Sequence, residues 1–144
     1  MNCVETAETP PAAPLTGCVI QMPLGLLGFE RIKQYALAGR TAEEPFLWLK
    51  MLEDPKLAFV VVSPFLIDPA YGPNIPDEDR KYLDLQGPED TLIFNIVKIH
   101  GPRQATVNLK GPIVLNRRTL VAKQVIPVNA SDFSVAHPLP LQAS

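Results

Sequence analysis

Few residues in this chain could do chemistry, and their spacing assembles none of the familiar catalytic sets. The histidines, His100 and His137, are far apart, and neither stands at a metal-ligand spacing from a cysteine, an acid or another imidazole. His100, beside a Gly-Pro turn, reads as a surface residue at a strand end. The acids fall as Glu43–Glu44, Glu53–Asp54 and Asp77–Asp79. Hydrolysis by paired carboxylates needs side chains converging on a cleft. Acids in loops and at a helix start read instead as solvated charge or as complements to the helix dipole. Ser63 is followed by Pro64 with no histidine nearby, and there is no GxSxG, P-loop or GxGxxG. Cys3 and Cys18 make no disulfide framework. They are read as reduced thiols of a bacterial-type cytoplasm, since a bridge between them would close only a tail loop. No catalytic residue, metal ligand or cofactor is assigned, and the residue types point by elimination to a binding protein.

The polar residues that need explaining lie in "TVNLKGPIVLNRRTLVAKQVI", residues 106 to 126. Asn108, Gly111, Pro112 and Asn116 interrupt the most apolar stretch of the chain without any titratable group beside them. Gly111-Pro112 must break the strand ladder between Leu109 and Ile113 and force a turn or bulge. Asn108 and Asn116 then have two readings. Their amides bond neighbouring backbone and set where pairing stops, or the bulge presents them to a protein partner. Both readings stay open in the sequence.

The elements that position these residues follow from composition and patterning. At 144 residues the chain fits one domain with a self-sufficient core. Its 16 prolines are scattered, so the chain must be cut into many short segments. A net charge of −2, from 13 Lys and Arg against 15 Asp and Glu, argues against an affinity of its own for nucleic acid. No stretch is long and apolar enough to span a membrane. Residues 1–16 carry no Lys or Arg, read as a disordered, solvated leader rather than a secretory signal, and precede a single domain over 17–140.

Strands are expected at 18–21, 34–38, 45–52, 57–62, 92–100, 104–109, 113–116 and 120–127. In the third, Leu47, Leu49 and Met51 share one face, and Phe46, Trp48 and Lys50 the other. Trp48 and Phe59 are expected in the core. One helix of about ten residues starts at an Asp77 N-cap, turns Tyr82 and Leu83 inward and stops at Gly87-Pro88. The fold class is mainly β: a small antiparallel barrel or sandwich with one short helix covering a side.

"MPLGLLGFE", "PFLWLKMLEDPKLAFVVVSPF", "TVNLKGPIVLN" and "AKQVI", in this order and spacing, resemble the flagellar assembly factor FliW family over about residues 18 to 139. The resemblance implies a small β-barrel-like fold and a non-enzymatic role. It implies two partners, flagellin and the RNA-binding translational regulator CsrA, whose repression of flagellin translation such a protein relieves. The chain departs from the family pattern at Met22, Leu27, Lys50-Met51, Phe133 and Ala136, and the later ones bear on whether both partners are kept.

On this reading the expected contacts are apolar anchors at Phe65 and Ile113, amides at Asn108 and Asn116, and an acidic rim including Glu43 and Glu44. The protein is expected to act as a cytoplasmic monomer without touching nucleic acid or membrane. The alternatives are a flagellin-only chaperone and a ligand-binding barrel with Phe46 and Trp48 lining a cavity.

Overall fold

Alternation of apolar residues in short strands closes this sheet into a barrel. The computed structural model describes residues 18–39, 46–53 and 57–140. Nine strands run in chain order: β1 Val19–Gln21, β2 Gln34–Gly39, β3 Leu47–Met51, β4 Ala58–Val62, β5 Thr91–Gly101, β6 Gln104–Val107, β7 Ile113–Asn116, β8 Val121–Gln124 and β9 His137–Pro140. They pair in the order β4-β3-β2-β1-β8-β7-β5-β6-β9, and a further pairing of β4 with β5 closes seven of them into a ring. All pairings are antiparallel except a single parallel contact between Gln21 of β1 and Val121 of β8. The mainly β class and the barrel agree with the sequence. The leader expected at 1–16 and the acids Glu43 and Glu44 lie outside the described residues.

The barrel interior is filled by inward-facing side chains, among them Ile20, Met22, Tyr35, Leu37, Leu49, Met51, Val61, Ile113 and Leu115. Burying one leucine such as Leu115 contributes about 2–3 kcal/mol. The period of two along β3 holds, with Leu49 and Met51 inside and Lys50 exposed. Phe46 packs on the outer layer rather than into the barrel, so the expected cavity lining is not formed there. Trp48 and Phe59 are half-buried, not fully enclosed as expected. Cys18 is disulfide-bonded, not the reduced thiol expected; Cys3 lies outside the described residues.

β5 is long enough to serve two partners along one edge. Thr91–Phe94 pairs with β7, and Val97–Gly101 pairs with β6. β6 and β7 are therefore one antiparallel run interrupted by a bulge, in which Asn108 to Pro112 face only Asn95 and Ile96. Beyond the bulge, β6 leaves the ring and pairs with β9. It covers an outer cluster of Val62, Tyr71, Val97, Val107 and Leu109. β9 was not expected from sequence.

The helix α1, Asp77–Tyr82, covers β7 and β8 from outside through the Leu83–Val114–Val125 cluster. Asp77 is its first residue and Pro76 its N-cap, since proline suits a helix start that needs no backbone donor. The helix is shorter than expected, because Asp84 takes a left-handed φ of 55° directly after the Leu83 cap. That early stop leaves Tyr82 exposed and only Leu83 of the expected pair buried.

Candidate functional site: a groove beside the bulge

The bulge takes its shape from side chains that replace missing ladder bonds. The Asn108 Oδ1 accepts the amides of Lys110 at 2.9 Å and Gly111 at 3.1 Å. Asn95 donates its side-chain amide to the Asn108 carbonyl at 2.7 Å. The Tyr71 hydroxyl donates to the Leu109 carbonyl at 2.6 Å. Burial pushes the Tyr71 phenol above its ordinary pKa, and the Asn95 contact partly offsets that rise. From β8, Gln124 donates its Nε2 to the Gly111 carbonyl at 3.1 Å. Each substitute bond holds a backbone group that would be costly to bury alone.

The same Gln124 reaches a second loop: its Oε1 accepts the Leu27 amide at 3.0 Å. That loop carries the "GLLG" stretch. Gly25 holds φ 69°, and a Cβ there would lie 2.5 Å from the Glu30 Cα, so only glycine fits the turn. Glu30 accepts the Gly28 amide, and this bond holds its carboxyl below the usual range.

Between the two loops lies an open groove of about 300 Å³. Its walls are Leu24, Leu27, Ile126 and Val135, which are 51%, 80%, 60% and 61% exposed. Glu30, Lys110 and Lys123 also line it. Lys123 is bound to Asp79, and the three ion pairs among the described residues leave Lys110 without an acid.

The residues singled out in the sequence do not converge on one surface. Asn108 borders the groove, and its side-chain oxygen is spent on the bulge. Asn116 is fully buried: its Nδ2 donates to the carbonyls of Leu83 at 2.7 Å and Asp84 at 3.1 Å, gripping the end of α1. Its Oδ1 accepts the amides of Arg118 and Thr119. Ile113 is only 3% exposed and points into the barrel, so it cannot meet a partner from there, which corrects its expected place as a surface anchor. Phe65 is 43% exposed on a 3-10 turn, Pro64–Leu66, and begins an aromatic row through Tyr71 to Phe133.

Gln124, Tyr71, Asn95 and Lys110 were missed. Gln124 and Asn95 left local traces, as polar residues inside the apolar "AKQVI" and "LIFNIV". Among the described residues, no three or more His, Cys, Asp or Glu side chains gather as a metal site, and no helix is long and apolar enough to cross a membrane.

Comparison with known proteins agrees with the fold. A family model described as FliW protein matches residues 11–139. A flagellar assembly factor FliW from Syntrophus aciditrophicus is 42% identical over 75% of this chain and 69% of its own length. The Leptospira biflexa protein of the same name is 42% identical over 75% of this chain and 72% of its own. A crystal structure of the flagellar assembly factor FliW superposes with a TM-score of 0.74 at 29% identity, over 83% of each chain. With its fold and its sequence pointing one way, this chain belongs to the FliW family of flagellar assembly factors.

Proposed function

We propose that this chain works by binding proteins rather than by catalysis. It holds flagellin, and when flagellin is exported the freed protein takes up the CsrA-type regulator and relieves repression of flagellin translation. The observation that carries the reading is the family match over residues 11–139. The site chemistry supports it: the groove is apolar and preformed, as a docking surface should be.

The regulator binds RNA and must carry basic surface. Asp77, Glu78 and Glu89 are exposed on and just after α1 and would draw such a surface while repelling phosphate. With a net charge of −2 the chain itself leaves RNA alone. Phe65 supplies an exposed apolar anchor. The protein acts as a cytoplasmic monomer.

The test adds purified protein to a preformed regulator–RNA complex and follows the RNA. Release of RNA, reversed by flagellin, is expected. RNA that stays bound at saturating protein, with no regulator–protein complex by light scattering, removes the antagonist role and leaves a flagellin-only chaperone.

A further inference from the structure

Among the described residues β9 is the one terminal strand of the sheet, because the β4–β5 pairing closes the other end into the ring. A terminal strand normally shows a row of unpaired backbone groups, on which another chain can add a strand. What β9 shows there follows from its register. In an antiparallel ladder, successive residues turn their backbone groups alternately toward one neighbour and the other. The Asn108 amide donates to the Ile96 carbonyl of β5 at 3.0 Å. The Leu109 amide donates the other way, to the Ser134 carbonyl on the chain leading into β9, at 2.9 Å. Further back along β6, Thr106 therefore serves β5, while Ala105 and Val107 serve β9.

The same register sorts the residues of β9. His137 lies opposite Val107 and Leu139 opposite Ala105, so their amides point inward to β6. Pro138, opposite Thr106, and Pro140, opposite Gln104, hold the positions that point outward. Proline has no N–H to offer. The outward position just before them is Ala136, whose amide is already given to the Ser134 hydroxyl at 3.0 Å. Among the outward carbonyls, that of Pro138 is met by the His137 Nδ1 at 2.9 Å. Pro138 itself is exposed, so the edge is closed by its own chemistry rather than by a covering element. Tolerance alone accounts for a proline at an outward position. The spent Ala136 amide and Pro138 carbonyl are separate observations that point the same way.

We propose that β9 is a built stop: its outer edge, stripped of free donors from 136 to 140, keeps copies of this chain and other strands from adding to the sheet. The inference goes beyond the proposed function and does not rest on it. A partner then has to be gripped through side chains, since main-chain pairing at the end of the sheet is closed.

The test compares the full-length chain with the double variant Pro138→Thr, Pro140→Thr, which restores two outward donors with a residue suited to strands. By light scattering the parent mass should not change up to about 1 mM, whereas the double variant should approach twice that mass over the same range. Amide exchange reads the geometry. In the variant, the amides of residues 138 and 140 should be protected at high concentration and lose that protection on dilution. Ala105 and Val107 should stay protected throughout, because β9 remains on β6. Pro138→Thr alone is the second variant and should associate in the same way, more weakly. Variants that stay monomeric while Ala105 and Val107 remain protected overturn the proposal. So does a parent that self-associates with amide shifts at His137 and Leu139. Loss of protection at Ala105 and Val107 in both variants also overturns it, and assigns the prolines to holding β9 on β6.

Discussion

Asn95 and Asn108 face each other across the bulge, and the Asn95 side-chain amide donates to the Asn108 carbonyl at 2.7 Å. A side chain on β5 thus does what a backbone partner does elsewhere in the ladder. Asn95 is fully buried and its Oδ1 has no partner. A buried polar group left half-satisfied costs stability. The barrel therefore spends stability to hold the bulge, and with it one rim of the groove, in place.

Asn108→Ala should lower stability by about 1–3 kcal/mol, because the amides of Lys110 and Gly111 lose their shared acceptor. Asn108→Asp keeps an acceptor and should recover at least half of the loss. Urea unfolding of both variants decides it. If the alanine variant matches the parent, the bulge is not held by this side chain.

Asn116→Ala should cost more, about 2–4 kcal/mol, since a fully buried amide leaves the Leu83 carbonyl and two backbone amides unserved, while Arg118 still donates to the Asp84 carbonyl. The damage should concentrate at the end of α1. Hydrogen exchange should show faster exchange at Leu83 and Asp84 than in β2 or β3, whereas uniform acceleration would mean that Asn116 supports only the barrel.

The strands could be read from sequence because period-two alternation is a local signal. Ala105, Val107 and Leu109 alternate, and all three are buried. The bulge was announced by Gly111-Pro112. Its consequence was hidden: β6 and β7 are one run along β5, a fact set by pairing far away in the chain. β9 escaped because Pro138 and Pro140 read as strand breakers, yet an outermost strand tolerates them. Ile113 looked like a candidate anchor because "PIVL" is apolar at every position. β7 is covered on both faces, by the barrel interior and by the α1 cluster, so such a run signals burial rather than display. The groove had no local signature, since its lining comes from four separate segments, and Gln124 of one bonds to two of the others.

Tyr35 should set the alkaline limit of the fold. Its hydroxyl is buried without a partner, and burial, aided by the charge of Glu53, pushes its pKa up to about 12. An unfolded tyrosine ionises near 10. Between these values the folded state keeps a proton that the unfolded state loses. The associated stability is intact below about pH 10 and is lost as pH rises through 12, in total about 2–3 kcal/mol. Tyr35→Phe should flatten much of that fall and, by removing an orphan hydroxyl, raise stability at neutral pH by about 1 kcal/mol. Urea midpoints at neutral pH and between pH 10 and 12 test both; an unchanged alkaline slope would assign it to another group.

The two lysines of the groove should separate scaffold from recognition. Lys123 pairs with Asp79, which is 4% exposed, and its ammonium lies 5.6 Å from the centre of the Tyr82 ring. Lys123→Met would strand a buried carboxylate beneath α1 and should cost about 3–5 kcal/mol. Replacing both members, as Asp79→Leu with Lys123→Met, should restore most of that loss, because the desolvation of the charges disappears with them. Lys110 forms no ion pair among the described residues, so Lys110→Met should unfold within about 0.5 kcal/mol of the parent while weakening whatever acid-bearing partner the groove holds. A double-mutant cycle in urea, set beside a binding titration of Lys110→Met, reads both effects. Should Lys123→Met prove as mild as Lys110→Met, the Asp79 pair is not what fixes α1 to the barrel, and the hold must come from Asn116 and the Leu83 cluster alone.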